Sequence, residues 1–174
     1  IFMKGCPLKC LWCSNPESQN PFKEVIFLKN NCIQCKSCLA KCPSGATSPD
    51  NFEIDRDICT NCGCCVEVCP VNAKKIVGTI YNIDELIKRA EEDRIFYRNS
   101  GGGVTVGGGE PILQYKFVAG FLKECRRLNI NTAIETCGFA KWEQLEEVLN
   151  YTDYLYFDLK HINPDTHKKL TGQS

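Results

Sequence analysis

The chain has 174 residues with 21 basic and 21 acidic side chains, so its formal net charge is zero. That balance provides no field to gather nucleic acid or an anionic membrane surface, and no apolar run is long enough to span a bilayer. Fourteen cysteines, about 8% of the chain, are dense enough for a disulfide scaffold, but their spacing points elsewhere. Eleven fall in three tight runs that suit metal geometry better than bridges between distant strands. Free thiolates of that kind belong in a reducing cytoplasm. The chain opens on Ile1-Phe2-Met3 and stops at Ser174 just after a helix-start pattern, so it reads as a piece of a longer protein cut at both ends.

Residues 1–28 form the first predicted segment. An apolar, strand-like run, Ile1-Phe2-Met3, leads into Gly5-Cys6-Pro7-Leu8-Lys9-Cys10-Leu11-Trp12-Cys13. Three thiolates at C-x3-C-x2-C spacing hold three irons of a [4Fe–4S] cube and leave the fourth iron without a protein ligand. The next cysteine is Cys32, and none stands at ferredoxin spacing before it. A fully ligated cube only carries electrons, whereas one with an open iron can also bind something. Cys6, Cys10 and Cys13 are therefore the candidate catalytic centre as well as metal ligands.

Residues 29–78 hold two four-cysteine runs. Cys32, Cys35, Cys38 and Cys42 precede Pro43, and 27 residues later Cys59, Cys62, Cys65 and Cys69 precede Pro70. These are bacterial ferredoxin runs, in which the fourth cysteine of each run ligates the other cluster. One cube would use Cys32, Cys35, Cys38 and Cys69, and the other Cys59, Cys62, Cys65 and Cys42. Crossed ligation pins the halves together and lets so short an inserted α+β domain fold on little apolar core. Structural zinc is the competing reading, since C-x2-C pairs also build zinc ribbons. Two runs of four, each closing on Cys-Pro, favour iron–sulfur. Cys64, between two ligands, reads as a spacer.

Residues 79–174 change character. Asn82-Ile83-Asp84-Glu85 is a capping-box pattern, followed by Ile83, Leu86, Ile87 and Ala90 at helical spacing up to Gly101. Val104-Thr105-Val106 predicts a strand, and Phe117, Phe121, Leu122, Cys125 and Leu128 mark one face of a second helix. Thr132-Ala133-Ile134 is the next strand, Trp142, Leu145, Val148 and Leu149 a third helix, and Tyr154-Leu155-Tyr156-Phe157 a fourth strand. Strands alternating with helices imply α/β architecture with a parallel sheet. Chemistry in such folds gathers where strands end. There lie Gly107-Gly108-Gly109-Glu110-Pro111, then Glu135-Thr136-Cys137-Gly138, then Asp158-Leu159-Lys160. Cys125 and Cys137 read as small apolar residues, and His161 and His167 have no partner at metal spacing.

The pattern C-x3-C-x-aromatic-C, with Trp12 as the aromatic, resembles the radical S-adenosylmethionine (radical SAM) superfamily. Phe2-Met3-Lys4-Gly5-Cys6-Pro7-Leu8, Asn15-Pro16-Glu17-Ser18 and Ser100-Gly101-Gly102-Gly103-Val104-Thr105 are similar to the activating enzymes of glycyl radical enzymes. The resemblance implies a partial (β/α) barrel of six βα units, about four of them present, with an open edge after the fourth strand. It places Trp12 against the adenine of SAM, and likens Gly108, Gly109, Glu110 and Pro111 to the motif that holds the SAM amino group. The family usually has Ser at Gly107, so binding is expected to be modestly weaker here. Glu135, Thr136 and Asp158 are implied oxygen donors to a monovalent cation, with Asp158 and Lys160 facing the SAM pocket.

The implied cofactors are three [4Fe–4S] clusters and SAM. The implied activity is reductive cleavage of SAM to methionine and a 5′-deoxyadenosyl radical, which takes hydrogen from a backbone glycine of a partner glycyl radical enzyme. The inserted domain implies a dehydratase, lyase or decarboxylase rather than pyruvate formate-lyase. It also implies a low-potential electron donor such as flavodoxin or ferredoxin. The competing function is a ferredoxin-type electron-transfer protein with no chemistry of its own.

Overall fold

The structure, a computed structural model, describes residues 1–173. In chain order its elements are β1 (Phe2–Met3), β2 (Glu24–Phe27), α1 (Ser37–Lys41), α2 (Cys64–Glu67), β3 (Lys74–Val77), α3 (Ile83–Glu92), α4 (Arg94–Ser100), β4 (Gly103–Gly108), α5 (Tyr115–Arg127), β5 (Asn131–Thr136), α6 (Trp142–Leu149), β6 (Tyr154–Phe157) and α7 (Pro164–Thr171). They fall into two units, residues 1–21 with the chain from Ile80 onward, and residues 22–79. Among the described residues no helix is long and apolar enough to cross a membrane.

In the first unit each helix returns the chain to the same end of the sheet, so successive strands pair in parallel. The order is β1-β4-β5-β6. Phe2 lies opposite Gly107, Val104 opposite Thr132, and Glu135 opposite Tyr156. Val104, Val106 and Ile134 pack against Leu86, Val118, Phe121, Leu122, Cys125 and Val148 from α3, α5 and α6. Among the described residues the sheet does not close into a barrel: β1 and β6 are its edges, and all four β6 residues are exposed.

The capping box forms as two bonds, with Glu85 N–H donating to Asn82 Oδ1 at 2.9 Å and Asn82 N–H to Glu85 Oε2 at 2.8 Å. The periodic run after it is not one helix. It breaks at Asp93 and restarts as α4, where Arg94 bonds Glu91 at 3.0 Å and the Leu128 carbonyl at 3.1 Å. Gly101 ends α4 in the left-handed region, at φ 69°. In α6 Val148 is buried but Trp142 is exposed, so the core stripe is narrower than the periodicity suggests.

The second unit holds a strand pair that its cysteine-rich sequence hides. β2 and β3 run antiparallel, Glu24 opposite Val77 and Phe27 opposite Lys74, which ties residues 22–28 to this unit rather than to the segment before it. The repeat in sequence is also a repeat in backbone conformation. Gln34 and Asn61, Lys36 and Gly63, and Gly45 and Asn72 all have positive φ, each pair separated by the same 27 residues. Lys36 and Gly63 stand at the starts of α1 and α2. The isolated bridge of Thr47 to Ile54 repeats the pairing of Lys74 with Phe27.

Cys125 in α5 is fully buried, and that burial pushes its thiol up to about 12. The folded chain keeps this proton where the unfolded chain has lost it, so stability is complete below about pH 9 and declines as pH rises towards about 12. Urea unfolding at about pH 8 and about pH 10 is expected to show this decline, and Cys125→Ala to lessen it.

Candidate cluster and cofactor site

A loop already in place lowers the cost of gathering thiols at one site, and the Gly5–Cys13 loop is held from two sides. Gly5 N–H donates to Ser18 O at 2.7 Å, Cys6 N–H to Gln19 O at 3.0 Å, and Gly5 O accepts from Glu110 N–H at 2.7 Å. On the other side Lys9 N–H and Leu11 N–H donate to the carbonyls of Thr171 and Leu170, at 2.7 and 3.0 Å. Those carbonyls belong to the last turn of α7 and lack partners inside the helix, so the loop caps the helix while the helix anchors the loop. Asn163 starts α7 by accepting from Thr166 N–H at 2.9 Å, with Pro164 in the first turn. Leu8, in mid-loop, is buried to 1% exposure and supplies the apolar anchor.

The glycine run at the end of β4 exists because backbones meet there. Gly108 has φ +106°, and a Cβ on Gly109 would lie 2.2 Å from Gly5 O and 3.0 Å from Ser18 O. Only hydrogen fits. At Gly107 a Cβ would meet Glu135 Oε2 at 3.0 Å, the movable tip of a side chain, so that position is less constrained.

Cys6, Cys10 and Cys13 line one cleft with Trp12, Gly108, Gly109, Glu135, Thr136, Asp158 and Lys160. The ends of all four strands of the sheet meet at this cleft, the place where open parallel sheets bind ligands. Lys160 pairs with Asp158. Burial pulls the Lys160 ammonium down, but the Asp158 carboxylate outweighs it and holds the pKa above its ordinary value. Burial pushes the Cys6 and Cys10 thiols up, aided by Glu110 at Cys6 and opposed by Lys160 at Cys10. Iron takes thiolates, so a cluster held here would have to displace protons from thiols that burial keeps protonated.

Glu110 and Pro111 stand behind this wall instead of on it. Glu110 is fully buried, and its carboxylate, expected at an ammonium group, is occupied by the fold. One oxygen accepts from Thr136 Oγ1 at 2.6 Å and Ile112 N–H at 3.1 Å. The other accepts from Cys137 N–H and from the Cys137 thiol, both at 2.9 Å. Cys137 is thus not plain apolar filling: it lines the cleft, and burial with the Glu110 bond pushes its thiol up to about 12.

In the second unit eight cysteines sort into two hollows. One is lined by Cys32, Cys35, Cys38 and Cys69, the other by Cys42, Cys59, Cys62 and Cys65, so each takes three cysteines from one run and one from the other. Cys64 lines neither. Among the described residues no three or more His, Cys, Asp or Glu side chains close on one point as a single ion requires. Zinc draws every thiolate to about 2.3 Å from one centre, whereas a cube receives each thiolate on a separate iron. Four thiols line each hollow, the number of protein ligands that one cube takes. Lys74 also lines the first hollow. Sequence reasoning passed it over, although it occupies the position that the first repeat gives to Thr47, and that mismatch is visible in the sequence.

Residues 56–174 match the Radical SAM superfamily, and residues 31–73 match a 4Fe-4S dicluster domain. The first match begins after the Cys6–Cys13 loop, which it leaves out. The chain is 41% identical to the isethionate sulfite-lyase activating enzyme of Oleidesulfovibrio alaskensis. It is 44% identical to the trans-4-hydroxy-L-proline dehydratase activating enzyme of Clostridioides difficile, and 38% identical to the indoleacetate decarboxylase activating enzyme of Tractidigestivibacter scatoligenes. Each likeness covers 100% of this chain and 59% of the relative, so the chain spans about three-fifths of the length of these curated relatives.

Replacing Gly109 by Ala forces its Cβ onto the Gly5 carbonyl. The expected loss is about 1–3 kcal/mol of stability in urea unfolding of the metal-free protein. Gly107→Ala, facing a movable carboxylate, is expected to cost less than half of that in the same measurement.

Proposed function

This chain belongs to the Radical SAM superfamily, and on that premise we propose that it is the cluster-bearing part of an activating enzyme for a glycyl radical enzyme. The observation that carries the reading is the convergence of Cys6, Cys10 and Cys13 on one cleft with the polar groups of four strand ends. When bound, a reduced three-thiolate cluster supplies the electron that splits SAM and so generates the radical that takes hydrogen from a partner's backbone glycine.

The chain's own residues bind, orient and exclude water. Cys6, Cys10 and Cys13 hold the cube. Gly108 and Gly109 let SAM approach the backbone closely, Trp12 packs on its adenine, and the Asp158–Lys160 pair fixes its polar end. Glu135, Thr136 and Asp158 offer hard oxygens to a monovalent cation beside it. Glu110 and Pro111 keep the wall in place from behind. The two hollows of the second unit bring the total to three [4Fe–4S] clusters and pass electrons from a donor of the flavodoxin or ferredoxin kind. The four strands form part of a partial (β/α) barrel, and the protein works in the cytoplasm, where thiols stay reduced. Relatives named for a lyase, a dehydratase and a decarboxylase support one of those classes as the partner, rather than pyruvate formate-lyase. The second reading, electron transfer alone, draws on the two hollows without the cleft.

Anaerobic reconstitution with iron and sulfide separates the two. The activase account predicts about twelve irons per chain and formation of 5′-deoxyadenosine when reductant and SAM are added. Cys6→Ala with Cys10→Ala and Cys13→Ala is expected to leave about eight irons and no 5′-deoxyadenosine. About eight irons in the unaltered chain, with SAM intact, would identify a carrier.

A further inference from the structure

Lys74 opens β3 and is 1% exposed. An ammonium so deep is costly to keep charged unless something compensates it. Its Nζ donates to the Phe52 carbonyl and sits 4.2 Å from the centre of the Phe27 ring. Among the described residues no carboxylate pairs with it, and Glu53 acts on it only from a greater distance. Burial pulls the ammonium down, and the sulfurs that oppose this most are Cys38 of the first hollow and Cys65 of the second, ahead of Glu53 and Cys32, although Lys74 itself lines only the first.

The 27-residue repeat shows what stands in its place on the other side. Val25 corresponds to Phe52, Phe27 to Ile54, Ala46 to Ala73 and Thr47 to Lys74. Phe27, Phe52, Ala73 and Lys74 wall the hollow of Cys32, Cys35, Cys38 and Cys69. Ile54, Val25, Ala46 and Thr47 wall that of Cys42, Cys59, Cys62 and Cys65. Lys36, which is exposed, also lines the first hollow where the repeat puts Gly63, so Lys74 is the one buried charge that sets the two linings apart.

We propose that Lys74 sets the order of reduction in the second unit: its buried charge makes the cube of Cys32, Cys35, Cys38 and Cys69 the more easily reduced of the two. The proposal rests on the reading that both hollows hold [4Fe–4S] cubes. Taking up one electron from a donor adds one negative charge to a cube, and a positive charge in a dry wall favours that state. Local charge is among the levers that set such potentials. Thr47 offers the second hollow no charge in its own wall, and Lys74 reaches that hollow only through Cys65, so an arriving electron rests first beside Lys74.

The test uses the full chain carrying Cys6→Ala, Cys10→Ala and Cys13→Ala, so that only the cubes of the second unit remain. Iron content is measured first: a parent that takes up no iron overturns the cluster reading, and this proposal with it. Anaerobic redox titration followed by EPR then resolves two one-electron steps. K74M keeps the length of the side chain without its charge. At the potential where the parent's more easily reduced cube is half reduced, K74M is expected to lower the reduced-to-oxidised ratio at least tenfold, ~59 mV for a one-electron couple. The other step moves less, and K74R restores the gap. Unchanged steps in K74M at equal iron content overturn the proposal. If K74M takes up less iron than the parent, K74R decides: normal iron content and parental potentials support a role for charge, and a defect equal to that of K74M overturns it.

Discussion

The site depends on a contact between two stretches of backbone with no side chain between them. Gly5 and Gly109 meet closely enough that a single methyl group would collide with the Gly5 carbonyl. From that contact follow the bond between Glu110 N–H and Gly5 O, the register of a first strand only two residues long, and the direction in which the Cys6–Cys13 loop leaves the sheet. Two residues of strand cannot fix a loop by ladder hydrogen bonds alone. The tight seat against β4 and the cap on α7 supply what the short strand lacks.

Glu110 extends the same constraint to β5. A buried carboxylate is tolerable only when its oxygens are filled, and here four donors fill them, from Ile112, Thr136 and Cys137. Those donors lie at the end of β5 and on the turn that leads into α5, and Glu110 itself follows β4, so one side chain ties these three segments together. The acidic residue of the glycine-rich run therefore has structural work that its motif does not announce. It holds Thr136 and Cys137 in position while Glu135 beside them remains turned to the cleft.

Much of this was legible in the residues. Apolar runs located all four parallel strands, in β4 and β5 because their inward residues are covered by helices, whereas β6 is apolar yet exposed along its length at the edge of the sheet. The capping box at Asn82 was legible because its two bonds are local. The β2–β3 pair was not, since four-residue strands flanking a cysteine-rich segment carry no lasting periodicity. Nor was the break at Asp93, which depends on where Arg94 finds partners in space. Within the site, cysteine spacing revealed which residues group together, as chemistry fixes that spacing. The burial of Glu110, the thiol bond of Cys137 and the depth of Lys74 depend on tertiary neighbours, and no local pattern encodes them.

The central claim is that three thiols on a rigidly seated loop leave room at one corner for the amino and carboxylate groups of a sulfonium cofactor. Pulsed electron–nuclear double resonance on the reduced, reconstituted chain tests it directly, using SAM labelled with a magnetic isotope at its amino nitrogen. The account predicts a hyperfine coupling from the label, present in the unaltered chain and absent when Cys6, Cys10 and Cys13 are replaced by alanine. An unaltered chain with a full complement of iron and no coupling from the label would contradict it.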